Sequence, residues 1–380
     1  MQKHSPYYTP DHDAFRDQLR RFVAKELEPF ADAWDEAGEF PRALYRKAAE
    51  FGLLQLNFPE EYGGVKADRL YAVIVGQELA RCGAGGVCAS LLSHTIGAPP
   101  IAKLGSDELK ARVLPAILAG EKISALAITE PGGGSDVANL RTLARREGDY
   151  FIVKGEKTFI TSGMRADYYT VAVRTGGPGM GGISLLLIER DTPGFTRTPL
   201  KKMGWWASDT ATLHFDDCRV PVANLIGAEN AGFLGIMMNF NDERLGLASS
   251  CAGFARVAYD EAVAYAQLRE TFGKPLIKHQ VIRHKLIDMA QRIHATEAML
   301  ENIAWRLDQG ESPVAELCML KNQATQTLAF CAAEAVQIFG GAGFMRGAKV
   351  ERIYREVKVN AIGGGAEEIM KDLASRQMGW

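Results

Sequence analysis

The sequence predicts an α+β protein in three consecutive blocks. These are an N-terminal helical domain over residues 1–121, a central antiparallel β-sandwich or barrel over 122–232, and a C-terminal helical bundle over 233–380. Three observations carry this. Apolar residues recur at helical spacing in both flanking blocks. Gly, Pro, Asp and Asn clusters cut the middle into short β-rich runs. Those runs do not alternate with helices, which argues against a doubly wound nucleotide-binding fold.

In the first block Phe15, Leu19, Phe22, Val23 and Leu27 follow Pro10 at helical spacing, and Asp11 reads as their N-cap. Further helical stretches cover about 41–52, 68–82 and 107–119. The texture changes near Lys122, where ISALAIT, YFIVKG, KTFITS, YYTVAVR, ISLLLIE and TATLHF read as separate strands up to about Gly232. From Phe233 the helical period returns over 234–270, 280–309 and 312–338, with Pro275 and Gly310 as breaks.

The chain has 380 residues, 44 Lys and Arg against 46 Asp and Glu, and a net charge of −2. That balance argues against binding to a nucleic-acid backbone, which needs a basic surplus. At 47% hydrophobic and 24% charged residues, the composition is that of an ordinary globular protein. The polar N-terminus shows no secretory h-region, and apolar runs such as Ile183–Ile188 are too short for a membrane span. Six scattered cysteines without a CxxC pair read as reduced, buried thiols, and the expected location is cytoplasmic. The seven histidines show no metal-ligand spacing, so no metal is expected.

Three glycine-rich segments stand out. Thr175–Gly182 (TGGPGMGG) lies between two strands and reads as a hairpin loop, since a phosphate loop needs a helix behind it. Pro131–Asp136 (PGGGSD) follows a strand and reads either as a tight turn or as a loop whose N–H groups approach a ligand. Gln337–Gly343 (QIFGGAG) ends a long helix and reads either as a helix C-cap or as a pyrophosphate contact.

Taken together and in order, the segments resemble the acyl-CoA dehydrogenase family over nearly the whole chain. Ala127–Asp136 (AITEPGGGSD) is similar to that family's first signature, and Lys157–Gly163 (KTFITSG) to its flavin-edge segment. Arg269–Lys274 (RETFGK), followed by Gln280, is similar to the segment that reaches a neighbouring subunit's cofactor. Gln337–Gly343, continuing to Glu351–Arg355 (ERIYR), is similar to the second signature, except that Gly347 stands where an acid or Asn is usual.

The resemblance implies an acyl-CoA dehydrogenase-like fold with FAD between the β-domain and the C-terminal helices. Ala127, Ile128, Thr129, Gly134 and Ser135 would line the cofactor, with Thr129 near the ring. Ser135 would also face the thioester or its pantetheine arm. Phe159, Ile160 and Thr161 would lie along the ring edge. Arg269, Phe272, Gln280, Gln337, Ile338, Gly340 and Gly341 would reach the cofactor across a subunit boundary, and Ala366 and Glu368 would contribute from the C-terminal segment. The resemblance further implies a homotetramer and an electron-transfer flavoprotein as partner. It implies α,β-dehydrogenation of a medium- or long-chain or branched acyl-CoA to a trans-2-enoyl-CoA. Two other readings stay open: a different flavoenzyme on this fold (an oxidase or monooxygenase), and a non-catalytic FAD- or acyl-CoA-binding protein.

The proton-abstracting Glu that most of the family carries in a segment like IYEGTxEI is missing. The corresponding segment is Ile362–Ile369 (IGGGAEEI), and Gly364 occupies that place. Isovaleryl- and long-chain-type members carry the base on an earlier helix, and Asn241–Leu245 (NDERL) is similar to that motif. By resemblance Glu243 is the base, Arg244 supports the site, and the Gly364 N–H donates to the thioester oxygen. A bare Asp-Glu-Arg triplet reads first as a solvated helix face. The vacated volume at Gly364 turns the reading toward catalysis. Glu367 is expected to be exposed, and Glu368 to make a cofactor or structural contact.

Overall fold

The computed structural model describes residues 5–380, apart from the side chain of Met238. The first block is built from helices α1 (Pro10–Glu26), α2 (Ala31–Ala37), α3 (Ala43–Phe51), α4 (Arg69–Leu79), α5 (Gly85–Leu91), α6 (His94–Gly97), α7 (Pro99–Leu104) and α8 (Asp107–Leu118). The cap of α1 is Thr9, not Asp11. Pro10 takes the first helical position, where its missing N–H costs nothing. Thr9 and His12 then close a capping box, each side chain accepting from the other residue's N–H. Asp68 and Ser106 cap α4 and α8 with side-chain oxygens that accept from first-turn N–H groups. The short α5–α7 segment shows no clean period in the sequence because Gly85, Gly86, Pro99 and Pro100 interrupt it.

The middle block forms one eight-stranded sheet from β1 (Ser124–Ala127), β2 (Leu143–Glu147), β3 (Tyr150–Thr161), β4 (Tyr168–Arg174), β5 (Ile183–Glu189), β6 (Phe195–Pro199), β7 (Thr210–Pro221) and β8 (Leu225–Ile226). Its order is β6-β7-β3-β2-β4-β5-β8, with β1 paired to β4. The expectation of antiparallel pairing throughout is corrected at two places: β1 runs parallel to β4, and β2 touches β4 in parallel through Leu143 and Arg174. The strands β6 and β8 end the order, so hydrogen bonding does not close the sheet into a barrel. The two runs expected around residue 156 are one long strand, β3, with register shifts at 153–155 and 157–160. Bulges keep one strand continuous while re-aiming side chains. The 175–182 loop connects the antiparallel pair β4 and β5, as a hairpin loop does.

The last block holds α9 (Gly232–Leu268), a short β9–β10 hairpin (Glu270–Thr271, Lys274–Pro275), α10 (Gln280–Asp308), α11 (Val314–Phe339), α12 (Lys349–Ile362) and α13 (Glu367–Gln377). Helix α11 is packed by α9, α10, α12 and α13. It is long and apolar enough to cross a membrane by length and composition. Here its apolar side chains serve the bundle, with Leu317, Leu320, Ala324, Leu328 and Ala332 buried. The departure at Gly347 is local: the residue takes φ +92° in the turn before α12, a conformation that glycine tolerates best. All six cysteines are free and buried.

Candidate active site

Helix α9 sorts the Asp-Glu-Arg triplet by face. Asp242 points outward and bridges Arg69 at 3.2 Å and Lys103 at 3.5 Å. Arg244 is buried, its Nη1 donating to Asn241 Oδ1 at 3.2 Å and its guanidinium carbon 5.5 Å from the Phe240 ring centroid. Glu243 is half-buried, but its Oε2 is inaccessible and has no hydrogen-bond partner. Burial pushes its carboxyl up to about 7, against the pull of Arg244 and Lys321. An orphaned carboxylate oxygen that titrates near neutrality can take up a proton from a bound molecule.

The turn between α12 and α13 supplies the other side. Gly364 and Gly365 have φ of +66° and +106°, which favour glycine. A Cβ on Gly364 would lie 3.6 Å from Glu243 Oε1 and 2.5 Å from Leu247 Cδ1. The volume left by the missing side chain is therefore next to the carboxylate of the facing helix. Glu367 is not simply exposed: it bridges Lys371 at 3.2 Å and accepts from Gln326. Glu368 is the exposed member of the pair, so the structure shows no contact that supports a structural role for it. Ala366 is the N-cap residue of α13.

Two buried lysines were given no role from the sequence: Lys321 is an isolated Lys in an apolar helical period, and Lys157 opens the KTFITSG segment without any sign there of its partner. Lys321 on α11 donates to the Gly365 carbonyl at 2.7 Å, and burial lowers its pKa. Lys157 on β3 donates to Glu130 Oε1 at 2.8 Å and to the Ile128 carbonyl at 3.0 Å, and burial lowers its pKa to about 8. Glu130 also accepts from the Arg141 and Thr142 N–H groups at 2.6 and 2.8 Å. This ion pair fixes the two ends of the PGGGSD loop.

The Thr158 N–H donates to the Thr129 carbonyl at 2.8 Å, which brings the first signature against the flavin-edge segment. Within the bulge Phe159 takes φ +62° and is 68% exposed, while Thr158 and Ile160 are buried. A large aromatic held outward in a strained conformation is a candidate surface for a flat partner. Gly132 and Gly133 have open space beyond Cα, Thr129 and Thr161 are half-buried, and Gly134 and Ser135 are exposed. Ala127, Ile128 and Ile160 are buried, which leaves their backbone rather than their side chains for the expected cofactor contact.

The third cluster is joined by a stack of Tyr265 on Phe339, with ring centroids 4.2 Å apart and planes at 16°. It places the end of α9 beside the end of α11, and so Arg269 beside Gln337–Gly341. Arg269, Phe272, Gln280, Gln337, Gly340 and Gly341 are exposed, and Phe272 is 97% exposed at φ +50°. Ile338 differs. Its side chain lies in the main core, because helix period turns it inward while Gln337 faces out, so only its backbone is left for the expected cofactor contact. The exposed aromatic faces, the open glycines and the exposed Arg269 guanidinium suit a long, planar, phosphate-bearing group such as FAD.

Family models for the acyl-CoA dehydrogenase N-terminal, middle and C-terminal domains match residues 9–121, 125–218 and 230–379. The long-chain specific acyl-CoA dehydrogenase of Rattus norvegicus mitochondria is 35% identical, over 98% of this chain and 87% of that protein. The acyl-CoA dehydrogenase crystal structure from Geobacillus kaustophilus superposes with a TM-score of 0.94 at 38% identity, over 99% and 100% of the two chains. A Mycobacterium smegmatis glutaryl-CoA dehydrogenase in complex with FADH2 superposes at 0.93 and 26% identity, over 98% and 95%. The chain belongs to the acyl-CoA dehydrogenase family, FAD-dependent oxidoreductases that act on CH–CH bonds.

Proposed function

We propose that this enzyme dehydrogenates a medium- or long-chain or branched acyl-CoA to the trans-2-enoyl-CoA, with Glu243 as the base. The observation that carries the reading is the Glu243 carboxylate beside the Cβ-less Gly364, with one oxygen unpartnered and its pKa raised to about 7. Such a carboxylate is ionised often enough at neutral pH to act and basic enough to remove an α-proton from an activated thioester. The Gly364 N–H donates to the thioester carbonyl, so that charge developing on that oxygen is stabilised as the proton leaves. Arg244, buried behind the base, keeps the carboxylate charge tolerable. When bound, FAD supplies the acceptor for the β-hydrogen. Ala127–Thr129, Gly134, Ser135 and Phe159–Thr161 hold it, with Arg269, Phe272, Gln280, Gln337–Gly341, Ala366 and Glu368 completing the site.

The relocated base, together with likeness to a long-chain specific enzyme, supports a substrate with a sizeable acyl chain. Asn239 Nδ2 donates to the Ile96 carbonyl at 3.0 Å, which ties the 91–101 segment to α9 as one wall near the base. Apolar exposure on Leu268, Phe272, Val281 and Ile287 supports assembly of copies into a tetramer. Electrons pass to an electron-transfer flavoprotein. Free, buried thiols fit a cytoplasmic location. The test is anaerobic titration of the yellow protein with straight and branched acyl-CoAs, beside Glu243→Gln. Bleaching in the wild type and none in the variant establishes reaction, base and substrate class together. Absence of bleaching with every thioester would favour a binding protein, and rapid reaction of the reduced protein with oxygen would favour an oxidase.

A further inference from the structure

Lys321 has no exposed surface, yet none of the chemistry above uses it. Its ammonium donates to the Gly365 carbonyl at 2.7 Å, and the next residue, Asn322, donates through Nδ2 to the Glu367 carbonyl at 3.0 Å. Two consecutive residues of α11 therefore hold the turn that joins α12 to α13. Glu243 packs on the same turn from α9, with its Oε1 at 3.6 Å from where a Gly364 Cβ would stand. An ammonium has three donors, and full burial is costly unless a counter-charge offsets it. The groups that act on it electrostatically are Glu243, Arg244 and Cys251 from α9 and Glu367 from α13, with Cys318 on its own helix. A methionine would fill the same volume without that cost, so packing alone does not explain a lysine here.

We propose that Lys321 is a positioning residue: through the Gly365 carbonyl it fixes the Gly364–Gly365 turn against Glu243, and its charge favours the ionised form of that carboxylate. The proposal rests on the reading of Glu243 as the base. The turn presents the Gly364 N–H at one height relative to the carboxylate, and the lysine sets that height. The charge lets a desolvated carboxylate stay basic without being protonated at neutral pH.

The test uses the FAD-loaded enzyme with Lys321→Met, which loses donor and charge, and Lys321→Gln, which keeps a donor without charge. Anaerobic reduction by an acyl-CoA is measured from pH 5.5 to 9.5. The expected result is a midpoint about one pH unit higher in both variants, with about fivefold slower reduction at pH 7; above pH 9 the rate recovers in Lys321→Gln and only in part in Lys321→Met, which has also lost the turn contact. Amide exchange over 363–366 should speed in Lys321→Met and stay close to wild type in Lys321→Gln. An unchanged midpoint, or a loss that is uniform across pH, overturns the proposal. So does failure of both variants to retain FAD and a native melting temperature, because that makes Lys321 a purely structural residue. Glu243→Gln separates the two readings. If it reduces at the wild-type rate, the base assignment falls and takes this proposal with it. If it is inactive while the lysine variants keep the wild-type midpoint, only the proposal falls.

Discussion

Glu243 shows how burial alone changes what a side chain does. Asp242, one residue earlier, is an ordinary surface acid tied to Arg69 and Lys103, and its pairs contribute little. Turned inward on the same helix, Glu243 loses solvent and its carboxyl rises to about 7. The base must be ionised to act, so kcat/KM should climb as pH rises through about 7 and level off above it. Glu243→Gln should lower flavin reduction about 10²- to 10⁴-fold, read by stopped-flow. The sign for stability is opposite. A raised folded-state pKa contributes stability below the ordinary carboxylate pKa, and this is lost as pH rises through about 7. Glu243→Gln should therefore gain more melting temperature at pH 8 than at pH 5, a difference on the order of 2–3 kcal/mol. Gly364→Ala would strain a φ of +66° by about 1–2 kcal/mol and drive a methyl to 2.5 Å from Leu247 Cδ1, forcing that side chain or the turn beside the carboxylate to shift. Its reduction rate should fall about tenfold or more, as expected for a displaced reacting group.

At the level of elements, the site is made where two kinds of structure are pinned by buried lysines. Lys157 in β3 reaches across to Glu130 and so fixes the glycine loop after β1. Lys157→Met leaves Glu130 with its backbone donors but without its cation. We expect a loss of about 3 kcal/mol in urea denaturation and a weaker hold on FAD. Asn322 holds the start of α13 through the Glu367 carbonyl. Asn322→Ala should lower local stability by about 1 kcal/mol, visible as faster amide exchange over 366–377 with the rest of the chain unchanged. Three helices of the C-terminal bundle, α9, α10 and α11, were legible from their 3.6-residue period, and the main strands from the turn residues between them; α12 and α13 were not read as helices. What escaped was local: the fusion of two apparent strands into β3, the parallel pairing of β1, and the short helices between 85 and 104. A bulge, a strand direction and a glycine-broken helix depend on neighbours distant in sequence.

For the whole molecule, exposed apolar residues occur in all three blocks, and four of them fall close together in sequence. Leu268 (83% exposed) and Phe272 (97%) lie at the end of α9 and in the β9–β10 hairpin, and Val281 and Ile287 begin α10. Such a segment is what the proposed contact between copies would cover. Light scattering should give about four times the 41.5 kDa chain mass. Val281→Glu combined with Ile287→Glu should bring the mass down and release FAD, since Arg269 and Gln280 flank the same surface. A variant that stays tetrameric with full FAD content would place the contact elsewhere.

The sequence alone determined the α–β–α order, the family, and the unusual absence of an acid at residue 364. Each of these is a property of pattern or of residue identity at a fixed spacing. It also pointed to Glu243, but only as one of two readings of a charged triplet. The tertiary structure took Glu243 off the solvated face, because the direction a side chain faces and what dries it depend on packing between α9 and the α12–α13 turn. It also disclosed Lys157 and Lys321, whose meaning lies in what surrounds them. A buried charge has no signature in its own neighbours along the chain. Its partners, Glu130 for one lysine and the Gly365 carbonyl and Glu243 for the other, are brought there by the fold.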